Sequence, residues 1–176
     1  MTHAERVALV CELAVQEHRR VVRDVDGSLD ILRYYHEGLG WAWQKSYTNR
    51  KDQWCGAFAS YCWGRGGLLL DVRHHDVASV HRLQAWAYDT PRWHRPQETQ
   101  PGDIILLGGD DGPHHIGLAM TACVAGLIST IEGNSTGILG DGTVGEGVVT
   151  HDRRVASRGY RVHAAIRPLD VDLEPA

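Results

Sequence analysis

Apolar residues recur at helical intervals in the first half of the chain and gather into short runs in the second. Ala4, Val7, Ala8, Cys11, Ala14, Val15 and His18 share one face of a helix predicted to reach about Arg20. Thr2 followed by Glu5 has the form of a capping box at its start. After a charged connection, Leu29 to Leu39 predicts a second, weaker helix. The stretch from Gln53 to Gly67 then changes from a polar loop to an apolar run, Gly56 to Trp63, which Arg65-Gly66-Gly67 ends. This predicts a short buried helix with Cys55 at or near its first turn. Ser79 caps a further predicted helix through Tyr88, with Val80, Leu83, Trp86 and Ala87 on its apolar face, and Thr90-Pro91 stops it.

From Pro101 the pattern becomes that of strands. Ile104 to Leu107, His115 to Met120, Leu127 to Asn134, Val148 to Val155 and Tyr160 to Arg167 are predicted strands. Pro101-Gly102-Asp103 and Ala125-Gly126 mark turns, and Gly108 to Pro113 reads as a polar loop. Ser135 to Gly147 holds five glycines without periodicity and reads as a mobile loop. Helices followed by sequential strands on short turns predict an α+β fold, with N-terminal helices packed on an antiparallel sheet of about five to six strands. One domain is expected over residues 1–176, its core at about 4–168 and an acidic tail at 169–176.

Composition narrows the function classes. A chain of 176 residues can bury a full core, and a formal charge of −4 gives no electrostatic case for nucleic-acid binding. No apolar run approaches membrane-spanning length, so no membrane insertion is expected. The N-terminal residues lack the basic-then-apolar layout of a secretion signal, which leads us to expect synthesis in the cytoplasm. The four cysteines, Cys11, Cys55, Cys62 and Cys123, form no CxxC pair and so suggest neither a disulfide framework nor a zinc site. His74-His75-Asp76 with His81 is the one histidine cluster, and it reads as solvated loop. Neither a metal nor another cofactor is expected.

The chemistry centres on Cys55. Free N–H groups and the positive end of a helix dipole favour an anion at a helix start, and cysteines so placed have lowered pKa. A packed core cysteine is the alternative, as expected for Cys62. A reactive thiol needs a base, and the base an orienting group. His115 opens a strand after a Gly/Pro-containing loop, where its ring could reach a helix terminus. Gly117, on the same strand face, leaves room beside it; His114, of opposite parity, is the rival. Glu132 and Asn134 lie two apart near a strand end and would share a face, so that either could accept from imidazole Nδ1–H. The N–H of Cys55 is aimed where an oxyanion would form, with the Gln53 side chain as a candidate second donor. Trp41, Trp54 and Trp93 are candidates for lining a substrate groove, the alternative being core or lid positions.

In order, WCGAFASYCWGRGG, PGDIILLGG, HIGLAM, IEGNSTG and IRP resemble the CHAP domains, the cysteine, histidine-dependent amidohydrolases/peptidases, over roughly Leu9 to Pro168. The related NlpC-type peptidases usually have a second histidine where this chain has Glu132. The resemblance implies a papain-like fold and hydrolysis of amide bonds, most often in peptidoglycan, by an amidase or endopeptidase. It implies Cys55 as nucleophile, His115 as base, Glu132 as its orienter and Asn134 as a further polar member. It also implies a cell-wall target reached after release or secretion, as for a phage lysin or an antibacterial effector, the latter with an immunity or delivery protein as partner. A non-catalytic wall-binding module and an intracellular small-molecule amidase are the competing expectations.

Overall fold

A computed structural model describes residues 1–40, 53–68, 78–156 and 159–169. Trp41, the histidines at 74 and 75, and the acidic tail beyond Leu169 lie outside the described residues.

Helix α1 spans His3–Arg19 and opens on the expected capping box: the Glu5 N–H donates to Thr2 Oγ1 at 3.2 Å, and the Thr2 N–H donates to Glu5 Oε2 at 2.7 Å. Its buried face is rotated from the predicted one, however. Val10, Ala14 and Glu17 are buried, while Ala4 and Ala8 are exposed. The cause is Glu17, which a hydrophobic pattern would place outside. It accepts from Tyr34 Oη at 2.7 Å and from Arg33 Nη2 at 2.6 Å, so the helix turns a carboxylate inward where partners satisfy it. Helix α2, Leu29–Arg33, supplies those partners and continues as a π-helical turn over Tyr34–Gly38.

Helix α3, Cys55–Arg65, is buried from Cys55 through Trp63. A helix apolar on all sides belongs inside a core, and here it packs between the other helices and the sheet. Helix α4, Val80–Tyr88, is capped by Ser79 and buries Val80, Leu83 and Ala87 as expected.

The strands are β1 Trp93–His94, β2 Ile104–Gly109, β3 Gly112–Ala119, β4 Leu127–Ile138, β5 Val144–Arg154 and β6 Arg161–Ile166. They form one six-stranded antiparallel sheet in the order β1-β6-β2-β3-β4-β5. The protein is thus α+β, helices first and strands after. Alternate residues of β2 divide between two faces. Ile104 and Leu106 join the helix-side core, while Ile105 and Leu107 join a smaller cluster with Ile128, Val162 and Ala165. The PGD turn is tied to the C-terminal IRP stretch, because Arg167 donates two hydrogen bonds to the buried Asp103 carboxylate at 3.0 and 3.1 Å.

The glycine-rich segment 135–147 is not the expected loop. Most of it is the far end of the β4–β5 hairpin, with only Leu139–Thr143 turning. Its glycines serve close packing. A side chain at Gly140 would meet the backbone of His18 and Arg19, and one at Gly147 the backbone of Val22.

One opening in the sheet positions the site. The β3–β4 ladder is closed only at Leu118↔Ile131 and Ala119↔Thr130. Toward His115 and Gly133 no further pairs join these strands, and the head of α3 lies against this region. At Gly133 an added Cβ would lie 2.5 Å from the Trp54 ring and 2.7 Å from Phe58 Cβ. Gly133→Ala should therefore destabilise the fold by about 1–3 kcal/mol through overpacking. Thermal melting reads this, and an unchanged midpoint would contradict so close an approach.

Candidate active site

Cys55 is the first residue of α3, and its sulfur sits at the opening between β3 and β4. The His115 ring and the backbone N–H groups of Ile116 and Gly56 lie close enough to act on its charge. Burial pushes its thiol pKa up, but the histidine and the two N–H groups outweigh this and hold it below the ordinary cysteine value. Cys62, inside the same helix, shows the contrast: burial without such partners pushes its thiol well up.

His115 Nε2 lies 3.0 Å from Glu132 Oε2. The nitrogen turned to the carboxylate is thus Nε2 rather than the expected Nδ1, which leaves Nδ1 for the sulfur. Burial pulls the imidazole pKa down, but the bonds to Cys55 and Glu132 raise it to about 9. The imidazole is thus favoured in its protonated form through the neutral range, and the thiol gives up its proton more readily than an ordinary cysteine. Gly117 makes space as expected, although for Glu132 rather than for the ring: a Cβ there would lie 2.8 Å from Glu132 Cγ.

Glu132 is fully buried yet accepts four hydrogen bonds from three groups besides His115. Thr130 Oγ1 donates to Oε1 at 2.7 Å, and Ser135 Oγ to Oε2 at 3.3 Å. Arg153 forks onto both oxygens, Nε to Oε1 at 2.7 Å and Nη2 to Oε2 at 2.5 Å. Burial alone would raise this carboxyl; Arg153 and then His115 hold it far below the usual carboxylate range. Arg153 and Thr130 escaped the sequence reading. Arg153 stands in the charged run Asp152-Arg153-Arg154, which resembles a solvated strand end. Thr130 carried a usable signal, since it lies two residues before Glu132 and so shares its face.

Asn134 does not join Glu132 at the histidine. Gly133 and Asn134 form a bulge in the β4–β5 register, and Asn134 adopts φ 59°. A bulge re-aims side chains, and here Asn134 Nδ2 donates to Gln53 Oε1 at 2.8 Å. Gln53 is held at its other end as well, its carbonyl accepting from Tyr35 Oη at 3.0 Å.

The proposed aromatic groove needs correction. Trp54 is wholly buried, with its indole N–H donating to Asp24 at 3.1 Å, and cannot stack on a ligand. Trp93 lies on the edge strand β1, pairs with Ile166 and packs against Tyr88 at a centroid distance of 5.1 Å, three strands from β3. Trp41 lies outside the described residues.

A cleft of about 420 Å³ opens above His115, lined also by Gln53, His114, Asn134, His151 and Tyr160. His114 is exposed there and stacks edge-on against Tyr160, so of the two adjacent histidines it is His115 that meets the sulfur. Cys55 is 3 % exposed and lies behind this lining. A larger cavity of about 560 Å³ beside Val15, Met120 and Ile138 shares only His151 with the cleft and holds neither Cys55 nor His115.

The shifted pair has a consequence for stability. His115 is raised from 6.5 to about 9, and Cys55 is lowered from 9.0. The raised imidazole contributes stability that is whole below 6.5 and is lost as pH rises through about 9, while the lowered thiol contributes stability that is whole above 9.0 and is lost as pH falls through its folded value. The two contributions oppose each other as pH rises toward 9. In Cys55→Ala only the histidine's contribution remains, so urea midpoints should fall more steeply between 6.5 and 9 than in the wild type; equal slopes would mean that the sulfur carries no charge.

No protein-family model matches the chain, and no curated protein matches it significantly.

Proposed function

We propose that this protein is a cysteine-dependent hydrolase of amide bonds, with peptidoglycan as its substrate. The observation that carries the reaction class is the sequence Cys55–His115–Glu132: a buried sulfur at a helix head, beside an imidazole whose Nε2 lies 3.0 Å from a buried carboxylate. The substrate class rests on the CHAP resemblance. The cleft agrees with it, being walled by amides, hydroxyls, histidines and an arginine suited to a polar, amide-rich ligand.

Cys55 Sγ would attack the amide carbonyl carbon, and the C=O pair would move onto oxygen. The Cys55 N–H at the head of α3 is one donor for that oxyanion. Gln53 is the second: its Oε1 is held by Asn134, which leaves its NH₂ to donate. One such donor is typically worth about 3 kcal/mol in the transition state. His115 Nδ1–H would protonate the leaving amine as the C–N bond breaks, giving a thioester. His115 would then take a proton from water, whose oxygen displaces the sulfur to give the carboxylate product.

Mass spectrometry of purified sacculi digested by wild-type protein and by Cys55→Ala tests this reading. Expected are new amine and carboxyl ends with the wild type alone, their position separating amidase from endopeptidase cleavage. Intact sacculi with both proteins would overturn the peptidoglycan assignment. The low exposure of Cys55 favours a second reading, a wall-binding module without turnover. Sacculus binding without product release would support it.

A further inference from the structure

Arg153 was not among the residues expected in the site, and nothing in the Cys55–His115–Glu132 sequence requires a guanidinium. Yet its fork occupies both oxygens of a carboxylate that no solvent reaches. The groups around this carboxylate come from every neighbouring element: His115 on β3, Thr130 and Ser135 on β4, His151 and Arg153 on β5, Cys55 on α3, and Tyr160 before β6. Arg153 also lies over the Tyr160 ring at 4.9 Å, which fixes its plane.

Charge counting shows what the arginine does. Thiolate, imidazolium and carboxylate together carry one net negative charge in a site with almost no solvent. Burying an uncompensated charge is costly, and the group neutralises instead. Without Arg153 the cheapest remedy is a proton on Glu132. A neutral carboxyl binds the Nε2–H less strongly, the imidazolium is less favoured, and its proton returns to sulfur. With Arg153 the four groups sum to zero and the ion pair persists.

We propose that Arg153 is a positioning residue that holds Glu132 as an anion on His115 Nε2, and thereby sets the pH range over which Cys55 is a thiolate. This rests on the Cys55–His115 part of the proposed function and not on its substrate.

The test is alkylation of the folded, full-length protein by iodoacetamide from pH 4 to 10, with Cys55 followed by peptide mass mapping apart from Cys11, Cys62 and Cys123. Wild-type Cys55 should react with a midpoint well below the ordinary thiol value of about 8.5. In Arg153→Met the midpoint should rise by at least about one pH unit, which is about tenfold less thiolate at any pH well below both midpoints. Arg153→Lys restores the charge without the fork and should fall between. Adding Glu132→Gln to Arg153→Met should produce no further shift. A purely structural ion pair would lower the melting temperature of Arg153→Met and leave the midpoint at the wild-type value, and that result overturns the proposal. Should Arg153→Met not fold, Arg153→Lys decides, since a wild-type midpoint there would also overturn it. A wild-type sulfur unreactive below pH 8 would remove the ion pair itself and with it this role. Intact sacculi together with a clear arginine-dependent shift would remove only the substrate.

Discussion

Cys55→Ala should eliminate the proposed turnover, with an expected loss of at least about 10⁴-fold, because no other group in the cleft could form the thioester. The substitution removes one heavy atom from a buried position, so the fold should survive at a cost of about 1 kcal/mol. Glu132 should keep its bonds to His115 and to Arg153 in the variant, since none of them involves the sulfur. Release of products from sacculi measures the loss, and circular dichroism with thermal melting verifies the fold. Turnover by this variant at more than a few per cent of the wild-type rate would show that the nucleophile is elsewhere.

The second large effect separates two adjacent histidines. His115→Ala removes the base, the proton donor to the leaving amine and the cation beside the sulfur, so activity should fall by a similar factor. The thiol should then titrate at or above its ordinary value, because burial still raises it and the imidazolium no longer opposes this. His114→Ala loses only its edge-on contact with Tyr160, worth about 0.5–1.5 kcal/mol, and should change activity less than tenfold. Parallel rate and alkylation measurements on both variants give the ranking. The reverse order would assign the proton transfers to His114.

Much of the fold could be read from spacing. Among the described residues, the four helices and strands β2 to β6 follow apolar periodicity, the two-residue β1 shows none, and the Cys55 helix shows itself by being apolar all round. What could not be read has specific causes. Glu17 breaks the pattern of α1 because its hydroxyl and guanidinium partners come from residues well downstream. The glycines of 135–147 look like loop because sequence records a missing side chain but not the backbone that fills its place. Glu132 and Asn134 appear equivalent at period two, until a bulge turns one to His115 and the other to Gln53. Trp54 sits beside the nucleophile in sequence, yet it is an internal anchor, wedged at Gly133. Arg153 escapes because a cation in a charged run gives no hint that its partner is the buried carboxylate at the centre of the site.

The narrow ladder between β3 and β4 bears on when the sulfur gains its partners during synthesis. Cys55 emerges early during synthesis, while Glu132 emerges only after β1 to β3 and Arg153 only after most of the sheet has been made. Until β4 settles over the head of α3, the thiol has neither an imidazolium held against it nor a countercharge behind that ring. A half-made or misfolded chain therefore lacks the histidine that lowers the Cys55 thiol pKa, a partner that only the completed tertiary structure supplies.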